Sequence, residues 1–167
     1  PTLMRAMWGV ESTFGAARRS ETGCTGDWQF TRSTFQDMCK RYNVAGKLRE
    51  LGYHEKADLL ERGGDGMDLR NDGIISTVAA AYYIKEISKN AGLDTNASDE
   101  QSRKNAWAGV YLAYNVGPGN LKIVLRNLGT GNVGALFPKE SGPNSAFYVD
   151  GANGQQALDN YYTALGR

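Results

Sequence analysis

The sequence predicts a mainly α-helical single domain, and three observations carry that expectation. Apolar residues recur at helical spacing in several segments, two Ser-x-x-Gln pairs have the form of capping boxes, and strand-like alternation is scarce, with no internal repeat. A length of 167 residues fits one domain with an ordinary core. The turn-rich stretch Gly23–Phe30 leaves room for a small β-hairpin, and no large sheet is expected.

The first helix is expected from Thr2 to about Ala17, with Pro1 tolerated in its first turn. Gly9 is a weak point, by about 1 kcal/mol against alanine. Ser20–Asp27 reads as a loop, Trp28-Gln29-Phe30 interrupts it, and Ser33 with Gln36 caps a second helix whose inner face holds Phe35, Cys39 and Tyr42. Val44–Arg62 reads as two short helices broken near Gly52-Tyr53 and anchored by Leu48, Leu51, Leu59 and Leu60. Gly63–Gly73 is a loop ending in an Asp72 cap. A long core helix then runs from about Gly73 to Lys89, with Ile75, Val78, Tyr82 and Ile87 near one face and Ala79–Ala81 allowing close packing. Ser98 with Gln101 opens a helix through about Tyr114, stopped by Val116-Gly-Pro-Gly119. Asn120 caps a short helix ending near Leu128. Gly129–Asn153 is glycine-rich and irregular, and an amphipathic helix over about Gln155–Leu165 closes the chain.

A formal net charge of +1 argues against a dedicated nucleic-acid binder, although Arg18–Arg19 and Lys40–Arg41 allow a modest preference for an anionic polymer. No run is long and apolar enough for stable membrane insertion. No export signal is visible, and the chain reads as a mature protein or an excised domain. Cys24 and Cys39 lack a zinc-like partner set, since His54 is the sole histidine; two thiols or one disulfide are both compatible with them. Asp68–Gly73 faintly resembles a calcium loop, but Arg70 holds an early ligand position and Ala79 stands where the closing glutamate belongs. No metal and no cofactor are expected.

Chemistry concentrates in four places. Met7, Glu11 and Phe14 share one helical face, so Glu11 is a carboxylate in an apolar stripe and a candidate for a raised pKa. A helix edge reaching solvent or an arginine is the plainer reading. The others are the loop with Ser20, Gly23, Gly26 and Gln29, the pair Tyr114-Asn115 before Gly-Pro-Gly, and Tyr148. Taken alone, Tyr114 reads as a core or rim aromatic, and Gln29 as a residue satisfying loop backbone groups.

Together these pieces resemble the lytic transglycosylase domain of the soluble (SLT) type, a branch of the lysozyme superfamily. Its pattern of E-S, S-x-x-G-x-x-G-x-x-Q, A-Y-N-x-G-P-G and a late Tyr-Val matches Glu11-Ser12, SETGCTGDWQ over Ser20–Gln29, AYNVGPG over Ala113–Gly119, and Tyr148-Val149. Asn71–Ile87 is similar to the family's N-I-x-x-G-x-x-Y-L segment without its glycine. Asp27-Trp28 replaces the usual Leu-Met, Thr31 the usual methionine, and Cys24 a common alanine. The stretches Phe30–Asn71 and Lys89–Trp107 are longer than usual, and these departures bear on subsite shape.

The resemblance implies a lysozyme-like fold over residues 1–167 and peptidoglycan glycan strands as the partner. The bond cut is the β-1,4 link from N-acetylmuramic acid to N-acetylglucosamine, leaving a 1,6-anhydromuramoyl end. Glu11 is the implied catalytic acid and base. Ser20 and Tyr148 correspond to hydrogen-bonding residues near Glu11 or the acetamido group, Gln29 to a floor residue reaching the sugar, and Tyr114 to the residue orienting the catalytic carboxyl. Asn115 fits a loop-holding role better than substrate contact. Trp28 is either a sugar-stacking ring or a core residue.

Two rivals stand beside this reading. A goose-type-like muramidase would hydrolyse the same bond with water, with Asp27 as the added carboxylate and Asp37, Asp65, Asp68 and Asp72 as others. A glycan-binding module without chemistry is the second. Peptidoglycan lies outside the cytoplasm, so action at the cell wall is expected. A phage virion or a secretion apparatus is the expected parent setting.

Overall fold

The computed structural model describes residues 2–12, 23–127 and 129. They are mainly α-helical, as expected, and fall into two compact units, one ending at Tyr83 and the next beginning at Ile84. No helix among them is long and apolar enough to cross a membrane.

In the first unit, α1 spans Thr2–Ser12. Leu3 and Met7, one turn apart, are both buried, so the apolar stripe expected around Glu11 is present on its N-terminal side. Residues 13–22, with the rest of the expected helix, Phe14 and Ser20, lie outside the described residues.

Gly23–Phe30 does not form the hairpin admitted above. One isolated antiparallel bridge joins Thr25 to Phe30, and no strand forms among the described residues. Only four residues separate the bridged pair, and they are spent on turning the chain. Gln29 N–H donates to Gly26 C=O at 3.2 Å.

Helix α2 (Arg32–Arg41) is capped by Thr31, whose hydroxyl accepts from Thr34 N–H at 3.2 Å. The cap therefore sits two residues before the expected Ser33. Phe35 and Met38 are its buried residues; Cys39 is half-buried, and Tyr42 stacks on Tyr82 with centroids 4.9 Å apart. Helix α3 (Val44–Glu50) is capped by Asn43, and α4 spans His54–Glu61, so the break falls at Gly52-Tyr53 as predicted. Leu48 is buried, but Leu51 is 52% exposed and anchors nothing.

The expected loop 63–73 contains a single 3-10 turn, Leu69–Asn71. Asp72 then caps α5 (Gly73–Ala91) as predicted: Oδ1 accepts from Ile74 N–H at 3.1 Å and Ile75 N–H at 3.0 Å. Its Oδ2 meets Lys56 Nζ at 2.6 Å. The buried face of α5 carries Ile75, Ser76, Ala79, Ala80, Ile84 and Ile87, while Val78 and Tyr82 are half-buried and Ala81 is exposed.

In the second unit, α6 (Glu100–Val116) is capped by Asp99, which accepts from Ser102 N–H at 2.7 Å, so the cap is one residue past the expected Ser98. A carboxylate outcompetes the neighbouring hydroxyl for the helix N-terminus. Trp107 Nε1 donates to Thr95 C=O at 3.2 Å, tying the connector to the helix. Gly117, at φ +87°, ends α6, and Pro118 rather than Asn120 opens α7 (Pro118–Asn127). Proline suits that first position because its missing N–H would have no helical partner there. Val110, Leu112, Leu121 and Val124 are fully buried. The closing segment beyond residue 129, including the expected last helix, lies outside the described residues.

Candidate active site

Glu11 occupies the last turn of α1, four residues past buried Met7 and eight past buried Leu3. The carboxylate thus extends the apolar stripe. The residue is half-buried, and its Oε1 is closed off from solvent.

Gln29 sits on the turn that closes Gly23–Phe30. Its φ is +46°, left-handed backbone that costs a non-glycine residue about 1–2 kcal/mol. Its side chain answers part of that strain, since Nε2 donates to Gly26 C=O at 2.9 Å, the same carbonyl that accepts the Gln29 backbone N–H. The backbone-satisfying role is therefore present, and it also fixes the direction of the amide. Strained residues held by their surroundings are concentrated at functional sites.

Trp28 takes the core alternative. It is 3% exposed, and its Nε1 donates to Thr77 Oγ1 at 2.9 Å. A ring enclosed in this way does not offer a face for sugar stacking. Asp27 is 8% exposed with its Oδ1 closed off from solvent. Its Oδ2 lies so close to Gly73, the first residue of α5, that a Cβ there would approach to 3.2 Å.

In the segment that holds this turn, Asp68 and Asp72 entered the sequence reading only as alternative carboxylates, and Arg70 was not singled out as functional. Arg70 is buried, and its guanidinium faces two ways. Nη1 donates to Gly23 C=O at 3.1 Å and Phe30 C=O at 2.9 Å, while Nε and Nη2 make a fork with the Asp68 carboxylate at 3.0 and 2.6 Å. This fork, offset in part by burial, holds the Asp68 carboxyl below the ordinary carboxylate range. Thr25 Oγ1 donates to Asn71 Oδ1 at 3.2 Å. In sequence Arg70 registered only as a residue out of place in a calcium loop. The one available signal was an arginine two residues from an aspartate in a glycine-rich loop.

Tyr114 lies in the last turn of α6, half-buried, in the second unit. Asn115 follows it on the same helix. Gly117 N–H returns to Ala113 C=O at 2.8 Å, so the break after these two residues is locally enforced. Ser20 and Tyr148 lie outside the described residues. The turn thus brings Asp27, Trp28 and Gln29 together with residues 68–77. Glu11 belongs to the same unit, and Tyr114 to the other.

Cys24 and Cys39 are not joined by a disulfide. Burial pushes the Cys39 thiol up to about 12, so it stays protonated near neutral pH. It lines a cavity of about 580 Å³ among α2, Ala45 and residues 60–70, whose lining includes neither Glu11 nor Gln29.

The family model of the transglycosylase SLT domain matches residues 1–132. The chain belongs to this family. The match contains Glu11-Ser12, the Ser20–Gln29 loop and AYNVGPG, and ends before Tyr148-Val149. No curated protein and no solved structure matches the chain. Membership places this SLT domain in the lysozyme superfamily and assigns it lytic transglycosylase activity at the level of the family.

Proposed function

We propose that residues 1–167 act as one lytic transglycosylase domain that cuts peptidoglycan strands between N-acetylmuramic acid and N-acetylglucosamine, leaving a 1,6-anhydromuramoyl end. The observation that carries this reading is Glu11 itself, a carboxyl group at the end of a buried Leu3–Met7 stripe with one oxygen shielded from water. The reading needs this carboxyl group as the neutral acid that protonates a leaving oxygen near neutral pH, a form that burial of a carboxyl group promotes.

The reaction runs in two balanced steps. Glu11 gives its proton to the bridging oxygen, that oxygen leaves with the bonding pair, and the acetamido carbonyl oxygen of the muramic ring bonds to the anomeric carbon. The Glu11 carboxylate then removes the proton of the C6 hydroxyl. O6 bonds to the anomeric carbon, the carbonyl oxygen is released, and no water is consumed. Gln29, held in direction by Gly26, reaches the sugar. Ser20 and Tyr148 bond near the acetamido group, Tyr114 takes the family's role of the residue that orients the catalytic carboxyl, and Asn115 keeps its loop in place. These bonds accelerate the reaction insofar as they strengthen toward the transition state. Trp28 is assigned to the core beneath Gln29.

The hydrolytic rival needs a second carboxylate to activate water. Asp27, its leading candidate, is 8% exposed and lies against the start of α5, which leaves little of it open to a water molecule. That favours the lyase. Peptidoglycan lies outside the cytoplasm, so the proposed site of action is the cell wall, and the proposed parent setting is a phage virion or a secretion apparatus. Mass spectrometry of digested peptidoglycan tests the chemistry. Anhydro-muropeptides are expected, and products that all carry one added water would overturn the proposal in favour of hydrolysis.

A further inference from the structure

Several hydrogen bonds tie the turn bearing Gln29 to one short segment, residues 68–77. Arg70 reaches both ends of the turn with one nitrogen, since Nη1 donates to Gly23 C=O and to Phe30 C=O. Its main chain reaches the middle. A Cβ on Gly26 would stand 1.8 Å from the Arg70 carbonyl oxygen, and Gly26 has φ +82°. Asn71 takes the Thr25 hydroxyl and Thr77 takes the Trp28 indole N–H. The strained residue, Gln29, lies inside this frame.

A guanidinium has five N–H donors in a rigid planar fork. Here one from Nε, two from Nη1 and one from Nη2 are directed to the Asp68 carboxylate or the two turn carbonyls. Asp68 is itself fixed, because its Oδ1 also accepts the Arg70 backbone N–H at 3.2 Å. The charged pair is thus a pre-set wedge that holds the ends of the turn at one separation. Lysine would keep the charge opposite Asp68 but has no planar fork with which to span both carbonyls.

We infer that Arg70, oriented by Asp68, is a positioning residue for substrate binding: it sets the geometry in which the turn presents Gln29 to the glycan. This rests on Gln29 being a sugar contact. Arg70 touches no reacting atom, so its loss acts on the presentation of Gln29 and not on the proton transfers of Glu11.

The test compares R70M, R70K and D68N with wild type on soluble glycan-chain fragments, at an active fraction matched by circular dichroism, together with hydrogen exchange over residues 23–30. R70M is expected to raise KM roughly 10- to 100-fold with a smaller change in kcat. It should also speed exchange at the Thr25 and Gln29 amides while leaving α3 and α4 protected. R70K and D68N are expected to give intermediate shifts in both readouts, R70K because charge alone does not replace the fork. A part that merely held the fold together would lower the active fraction and leave KM unchanged. A folded R70M with KM within twofold of wild type, or with unchanged protection over 23–30, overturns the inference. Should R70M fail to fold, R70K and D68N decide on the same two readouts. Failure of the Glu11 assignment is separately visible, since an active E11Q would condemn the site while leaving the exchange result intact.

Discussion

The turn at Gly23–Phe30 and the helical hairpin at Val44–Glu61 are both short, polar segments, yet they are held in opposite ways. The turn is fixed by directional, buried or part-buried bonds to residues 40 or more positions away in sequence, from Arg70, Asn71 and Thr77. The hairpin closes over Leu48 and Ala57 and adds surface ion pairs, with Arg49 joining Asp58 at 2.7 Å and Glu61 at 2.6 Å. A surface pair in water stabilises little and tolerates a range of geometries, whereas a buried fork specifies one. Directional bonds to a distant segment thus hold the turn in one geometry, whereas the hairpin needs only to stay connected.

That contrast is broken hardest at Gly26. A Gly26→Ala variant drives a methyl group into the Arg70 carbonyl at a left-handed backbone position and is expected to lose about 3 kcal/mol or more in urea unfolding. Gly23→Ala has the same φ but open space around its Cβ, so the loss should stay near about 1–2 kcal/mol. Equal losses at the two glycines would show that the Arg70 contact is not limiting. Next in size is Thr77→Val, which removes the acceptor of a nearly buried indole N–H. It is expected to destabilise the domain by about 1–2 kcal/mol and to speed exchange in the turn.

Acidification probes the turn directly. The Arg70 fork holds Asp68 below its ordinary value, against the opposing effect of burial. A carboxyl group lowered in the folded state adds stability that is complete above its unfolded pKa, about 3.9, and is lost as pH falls through the folded value. Protection of the turn should therefore hold from neutral pH down to about 4 and fall below it, with D68N removing that dependence. Smallest of all is Arg49→Ala, expected to leave the urea midpoint unchanged within measurement, because its partners are exposed. A loss as large as that of Thr77→Val would erase the contrast.

The same contrast governs what could be read in advance. Features set by near neighbours were legible: the break at Gly52-Tyr53, the Asp72 cap, the stop at Gly117 and the Met7–Glu11 face each depend on residues within about one or two turns. Caps at Thr31 and Asp99 missed by two residues and one, because adjacent hydroxyls and carboxylates compete for one helix end. Leu51 looked like an anchor by type, but it falls at the C-terminal cap of α3 and faces solvent. The hairpin at 23–30 failed because the four residues between the bridged pair go into the turn. Glu11 and Gln29 were singled out because their motifs are local. Arg70 was not, since its bonds to Gly23 and Phe30 cross 47 and 40 positions and leave no periodic trace.

Everything in the account converges on one carboxyl group. Glu11→Gln keeps the shape and removes the exchangeable acid, so the most direct measurement is the rate at which folded E11Q releases soluble fragments from intact peptidoglycan. The account predicts a fall of roughly 10²- to 10⁴-fold with the unfolding midpoint close to wild type. Release at the wild-type rate by a folded E11Q would contradict it.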